Sequence, residues 1–217
     1  MLEEFLNNLM IDKIREYGKK KKFQEVIDIG GKDGKYSSRI SENLTILDLN
    51  PDIISPTINY VKKDIMEFET KEKFDLVISS AFMEHFSREE GVDILKKINY
   101  LLKVDGFAFL TCPNAWSINR LLGEIMGICK SLELSEGDGK VGHKFMYNLP
   151  RLEEIVKEHL IFVESGSYFL KPLPASDMNK IFDVNAFRSF ASINSSSHPQ
   201  LKDYLAEIYI IGKKKVE

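Results

Sequence analysis

An α/β fold, built on a mostly parallel sheet of about seven strands with helices on both faces, is the class this sequence predicts. Three observations carry it. Short, continuously apolar stretches rich in β-branched residues recur along the chain, and a strand without a polar face must be covered on both sides. Segments with helical spacing lie between them. The first strand-like stretch runs straight into a glycine turn, VIDIGGKDGKYS (26–37), and on into a helix start.

Taken in order, MLEEFLNNLMIDKIREYG has apolar residues at Leu2, Phe5, Leu6, Leu9, Ile11, Ile14 and Tyr17, a helical spacing that Gly18 ends. A basic run, Lys19 to Lys22, follows, so residues 1–22 read as an N-terminal helix and linker. Residues 23–217 then read as one domain. Its strands are EVIDI (25–29), LTILDL (44–49), INYV (58–61), FDLVIS (74–79) and FAFLTC (107–112). The prolines of NPDIISP (50–56) disfavour a full helix after the second. Ser87 and Glu90 form a capping box for a helix to Leu102, with Ile94, Leu95, Ile98 and Leu101 on one face, and KVDG (103–106) turns into the fifth strand. A helical pattern spans about 115–130, and another starts near the cap-like Asn148. LIFVES (160–165), SYFL (167–170) and EIYIIG (207–212) are strand-like, the last expected at a sheet edge. Residues 171–200 have no strong period and read as an irregular insertion, most flexible at SINSSSHP (192–199).

A chain of 217 residues, 43% hydrophobic, can bury a large core. The net charge of −3 gives no field to gather nucleic acid or anionic membrane. The Lys19–Lys22 and Lys213–Lys215 clusters read as solvated. Cys112 and Cys129 are too few for a disulfide framework and lack metal-ligand spacing, so a reducing compartment and no structural zinc are expected. No apolar run approaches a membrane span, and the start is unlike a secretory signal. A cytoplasmic protein is the expectation.

The glycine turn decides between ligands. A dinucleotide fingerprint begun at Gly30 needs glycines where Lys32 and Lys35 stand, so it fails. Asp28, at the end of the first strand, would repel a pyrophosphate and attract an ammonium or sulfonium. Asp48, ending the second strand, suits the paired hydroxyls of a ribose. After the third strand, Asp64 and the backbone of Ile65 suit an adenine edge, with Leu49 packing on the ring. A nucleoside with a cationic tail fits all three, although each acidic residue taken alone also reads as a strand-end cap.

On these residues the chain resembles a class I S-adenosylmethionine-dependent methyltransferase, over roughly residues 23–165. Asp28, Gly30 and Gly34 match the family's acidic residue and glycine loop, and Asp48 and Asp64 match its acidic landmarks. FDLVISSAFMEHF (74–86) and LLKVDGFAFLTCPN (101–114) follow in the family's order. The resemblance implies a Rossmann-like fold, S-adenosylmethionine as cofactor, and Ser79 and Ser80 holding its methionine ammonium through backbone carbonyls. Lys32 departs from the pattern at the middle glycine, where its side chain either crowds the cofactor or leans into solvent.

Methyl transfer from a sulfonium needs alignment, desolvation and sometimes a base, and requires no metal. His85, in MEHF, and His143, in GHKFMYN, are the candidate catalytic residues. For each, buttressing or capping a neighbouring helix is the plain alternative. A "PN" end to strand five (Pro113, Asn114), then a helix, then His143 with Phe145 and Tyr147, resembles the family's sugar and small-metabolite methyltransferases. An oxygen of such a small polar acceptor is therefore the expected target. Trp116 either stacks on that acceptor or pins a helix. LLGEIMGICKSLEL (121–134) reads as a packed helix, with a lid, a homodimer face or a membrane-surface contact as alternatives. A non-catalytic cofactor-binding regulator is the competing function.

Overall fold

The computed structural model describes residues 1–19 and 21–216; Lys20 of the basic run lies outside them. Its elements are α1 (Leu2–Gly18), β1 (Glu25–Ile29), β2 (Asn43–Asp48), β3 (Asn59–Lys62), β4 (Phe74–Ser80), α2 (Arg88–Leu101), β5 (Leu102–Pro113), α3 (Ile118–Ile125), α4 (Glu136–Lys140), α5 (Leu149–His159), β6 (Ile161–Tyr168), α6 (Ala175–Ile181), α7 (Val184–Ser192) and β7 (Glu207–Lys213). The strands form one seven-stranded sheet, in the order β3-β2-β1-β4-β5-β7-β6. From β3 to β5 every pairing is parallel. β7 runs antiparallel to both its neighbours.

Alternation along each strand sends side chains to opposite faces. Ile27, Ile29, Val77, Ala108, Leu110, Ile208 and Ile210 join α2 and α5 in one core. Val26, Ile46, Leu76, Ile78, Phe109 and Ile211 join α1, α6 and α7 in the other. Both faces are therefore covered, which is what the apolar strands demand.

The ends of α2 and α5 follow their caps. Ser87 and Glu90 form the reciprocal capping box of α2, and the Asn148 side chain accepts the Arg151 N–H at the start of α5. Four local expectations give way to packing. KVDG lies inside β5 and not before it, with a register shift against β4 between Phe74 and Leu76. LIFVES and SYFL merge into β6, again through a register shift. EIYIIG is not an edge strand: its run from Ile208 to Ile211 is buried on both sides, so it sits between β5 and β6, and the more exposed β6 takes the edge.

The fourth concerns residues 171–200, which hold α6 and α7 where an irregular insertion was expected. Asp183 caps α7 by accepting the Asn185 and Ala186 N–H groups. Phe187 is fully buried, its ring 5.6 Å from that of Phe5 on α1. These helices are short, and tertiary contact with α1 fixes them where local periodicity is too brief to register. The helix expected over 115–130 shrinks to α3. Its C-cap, Met126, is followed by Gly127 at φ 70°, a left-handed residue that stops a helix.

Candidate functional site

The site lies at the carboxyl ends of the parallel strands, where strand order reverses between β1 and β4, the place an open α/β sheet leaves for a ligand. The turn after β1 is held by the Gly30 N–H donating to Leu47 O at 2.8 Å and the Gly34 N–H donating to Gly31 O at 2.9 Å. Only a short 3₁₀ turn, Ser37–Arg39, follows it. The helix start expected there is absent, so no row of helix N–H groups faces the turn to receive a phosphate.

Glycine is needed in this turn for two distinct reasons. Gly34 has φ 70°, a conformation costly for other residues. At Gly31 the reason is space, because a Cβ would sit 2.5 Å from the Asp28 carboxyl carbon. Asp28 is thus tucked under the loop, 7% exposed. Burial pushes its carboxyl up to about 7, the neighbouring Asp48 and Asp33 adding to the rise and Ser37 opposing it. A buried carboxyl in such surroundings charges readily only when a cation arrives.

Lys32 stands in the left-handed region at φ 50°. Its backbone N–H donates to Asp48 Oδ2 at 3.2 Å, and its ammonium lies 3.3 Å from Asp52, with the side chain 70% exposed. Of the two orientations open in the sequence, the side chain takes the outward one.

Two cavities share Gly30 and Ala81. The first, about 230 Å³, is lined by Gly30, Asp48, Leu49, Asp64, Ile65 and His85, with Lys63, Phe82 and Phe86. The second, about 620 Å³, is lined by Asp28, Gly30, Gly31, Lys32, Tyr36, Ser80 and the first turns of α1, including Glu3, Glu4 and Asn7. The sequence-predicted residues therefore divide: Asp48, Leu49, Asp64 and Ile65 gather in one cavity, Asp28 and Ser80 in the other, and Gly30 in both. Gly34 instead backs the turn against Ile46. Ser79 is fully buried and lines neither cavity, while the Ser80 hydroxyl is 2.9 Å from that of Thr111. Asp48 accepts the Lys32 and Asn50 N–H groups, and Asp64 accepts the Met66 N–H at 2.8 Å, so both carboxylates are fixed before any ligand binds.

Sequence reasoning missed α1 as a wall of this site, along with Gly31 and Phe82. The α1 contribution follows from its amphipathic pattern only once the sheet order is known. Phe82 packs on Gly30, its ring 2.5 Å from where a Cβ would be, beside Ala81, which is left-handed at φ 47°.

Beyond His85 the loop after β4 meets the 138–147 segment. Glu84 O accepts the Lys144 N–H at 2.7 Å and the Phe145 N–H at 3.2 Å, which brings the His85 and His143 rings to 5.1 Å, edge to face. The two catalytic candidates are thus neighbours although 58 positions separate them in sequence. His143 Nδ1 lies 3.4 Å from Asp138, and its Nε2 lies 4.0 Å from Glu84. Burial, with His85 alongside, lowers the His143 pKa. Asp138 is held by Arg120 at 2.9 Å and by the capping box of α4 at Ser135. Glu84, 2% exposed, has no hydrogen-bond partner on either carboxylate oxygen. Asn114, by contrast, is structural, donating to Asp203 O and Leu205 O. No residue of α3 is buried, and Ile125, Met126 and Ile128 are exposed, so the packed helix expected over 121–134 is not found there.

No helix among the described residues is long and apolar enough to cross a membrane. A comparison with curated protein sequences finds no match. Among solved structures, the N-methyltransferase NodS from Bradyrhizobium japonicum WM9, in complex with S-adenosylhomocysteine, is similar, with TM-score 0.59, 13% identity and coverage of 98% of this chain and 88% of that one. A Burkholderia thailandensis 1,6-didemethyltoxoflavin-N1-methyltransferase has TM-score 0.61 at 15% identity, covering 96% of this chain and 79% of its own. An Archaeoglobus fulgidus S-adenosylmethionine-dependent methyltransferase has TM-score 0.59 at 19% identity, covering 96% and 94%. The family model described as a methyltransferase domain matches residues 2–159, α1 included. With that match, this sheet order and this glycine turn, the chain belongs to the methyltransferase-domain family and has the Rossmann-like fold of the class I S-adenosylmethionine-dependent enzymes.

Proposed function

We propose that the protein transfers the methyl group of S-adenosylmethionine to an oxygen of a small polar acceptor, such as a sugar, a glycan precursor or a related metabolite. The single observation that carries the reading is the pair of cavities meeting at Gly30, one bearing Asp48 and Asp64, the other the buried Asp28. Their chemistry fits the cofactor: Asp48 accepts from the ribose hydroxyls, Asp64 and Ile65 take the adenine edge, and Asp28 balances the cationic methionine end. Of the two serines, Ser80 lines the second cavity, and its backbone holds the ammonium; Ser79, fully buried, does not reach it. Bound there, S-adenosylmethionine supplies an activated methyl carbon, and transfer breaks the S–C bond with the electron pair left on sulfur.

The protein's share is alignment and the handling of one proton. A hydroxyl is a poor nucleophile until its proton is lost or loosened; His85 brings a proton-accepting imidazole to the edge of the cofactor cavity, with His143 beside it. The NodS and toxoflavin enzymes are named for methylation at nitrogen. A neutral amine already has a nucleophilic lone pair, whereas a hydroxyl gains most from a neighbouring base, which is why oxygen is preferred here. The net charge of −3 supports a small-molecule acceptor over nucleic acid, and the same reading keeps the protein in the cytoplasm. The exposed apolar side chains of α3 are the face on which a homodimer would form.

The test is an acceptor screen of sugars, phenols and amines, read by S-adenosylhomocysteine release. Turnover with a hydroxyl acceptor, slowed at least about tenfold in both His143→Ala and His85→Ala at saturating cofactor, is the expected result. Turnover with amines alone, unchanged in both variants, would overturn the oxygen assignment.

A further inference from the structure

We propose that Glu84, His85 and His143 form a binding site for a zinc-type divalent metal ion, bordering the cofactor cavity that His85 lines. The inference rests on the methyltransferase reading and assigns these residues a role that the sequence, which assigned no metal, did not suggest.

One ligand atom from each of the three side chains lies within 4.8 Å of the other two, a spacing that one ion would close to bonding distance with small side-chain movement. Glu84 supplies the second, independent observation. It is 2% exposed, yet neither carboxylate oxygen has a hydrogen-bond partner. A bare buried carboxylate is costly, and a coordinated cation removes that cost.

His85 is arranged as a metal ligand is: its Nδ1 lies 3.2 Å from Gly142 O, and with the Nδ1 proton on that carbonyl its Nε2 lone pair is free to bind a metal. His143 turns Nε2 toward Glu84 at 4.0 Å, while its Nδ1, 3.4 Å from Asp138 Oδ1, makes no hydrogen bond; a small rotation would bring that carboxylate in as its support. A carboxylate or carbonyl behind the ligating histidine is the usual supporting arrangement. Asp138 is itself fixed by Arg120 at 2.9 Å. Two nitrogens and one carboxylate oxygen suit zinc and its first-row neighbours rather than magnesium, which prefers oxygen alone. Three protein ligands leave a coordination position open. His85 also lines the cavity that bears Asp48 and Asp64, so the site borders the cofactor. A hydroxyl bound at the open position loses its proton to solvent more easily.

The experiment is titration of chelator-treated protein with Zn²⁺ by calorimetry and with Co²⁺ by visible absorption, with S-adenosylmethionine titrated in parallel. The expected result is one ion per chain, a ligand-field band in the cobalt spectrum, and a higher Tm with zinc. Glu84→Gln, which keeps shape and volume, and His143→Ala should each weaken binding by about a hundredfold or more, and Asp138→Asn by about tenfold. His198→Ala, remote from the cluster, should bind as the parent does. Absence of stoichiometric binding, or binding unchanged in Glu84→Gln folded by circular dichroism, would overturn the site. S-adenosylmethionine binding without metal binding overturns this inference alone; failure of both overturns the methyltransferase reading as well.

Discussion

On the proposed assignment, Asp28 should make the affinity for a cationic cofactor depend on pH, and replacing it by asparagine should abolish that dependence. Its carboxyl, buried beneath Gly31, is pushed up to about 7, so near neutrality it is only half ionised before a ligand arrives. The groups around it are Asp33 and Asp48, which raise it, and Ser37, which lowers it; Glu3, Glu4, Lys32 and Lys35 line the same cavity. If the cofactor binds fully only to the ionised form, the apparent Kd scales with one plus the ratio of protonated to ionised Asp28. From pH 5.5 to pH 7 it then falls by roughly fifteenfold. That window stays below the titration of an α-amino group at about 7.7–8.0, so the ligand keeps its charge. Binding at pH 7 should release about half a proton, measurable by calorimetry in buffers of different ionisation enthalpy. In Asp28→Asn the profile should be flat and the affinity at pH 7 lower by about 10–150-fold, the worth of one charge-assisted bond.

Stability should move the opposite way. A carboxyl raised in the folded state from 3.8 to about 7 contributes stability that is complete below pH 3.8 and lost as pH rises through 7. Asp28→Asn without ligand should therefore melt above the parent at pH 8, the gap narrowing toward pH 4. Equal affinity of parent and variant at pH 7, or a pH-independent parent, would refute the reasoning.

Three further expectations concern the same scaffold. Gly31→Ala puts a Cβ 2.5 Å from the Asp28 carboxyl; it should cost about 1–3 kcal/mol of stability in denaturant titrations and weaken cofactor binding, and an unperturbed variant would refute the tucked carboxyl. Lys32→Gly relieves a left-handed residue at about 1 kcal/mol and loses one exposed ion pair worth at most about that; calorimetry should find cofactor affinity within about threefold of the parent, and a larger loss would mean that the side chain touches the ligand. Phe187→Ala should destabilise by about 3–5 kcal/mol, as expected for a fully buried aromatic; a melt shifted by less than about 1 kcal/mol would deny α7 its place in the core.

The sheet was legible because its central strands carry short apolar runs, and the capped helices α2 and α5 because Ser87 and Asn148 announce them. The positions of Asp28, Asp48 and Asp64 were legible for a related reason: they lie in or just beyond the last residues of β1, β2 and β3, so placing the strands places the carboxylates. Strand order at the far edge was not legible, since it depends on β7 inserting between β5 and β6, a long-range pairing that leaves no local trace. α6 and α7 escaped because their order comes from Phe187 and Met178 packing toward α1. The meeting of Glu84, His85 and His143 escaped because it rests on two backbone hydrogen bonds from 144 and 145 to Glu84 O, which no periodicity encodes. Lys32 could not be oriented without its partner Asp52 in view.

On the proposed function, the two cavities around Gly30 form one cofactor site. Calorimetric titration of the purified, ligand-free protein with S-adenosylmethionine, S-adenosylhomocysteine and NAD, on the parent and on Asp48→Ala, tests it most directly. Micromolar binding of the two methionine-derived ligands, none of NAD, and a loss of about tenfold or more in Asp48→Ala is the predicted result. No binding of either methionine-derived ligand, or an Asp48→Ala variant that binds as the parent does, would contradict it.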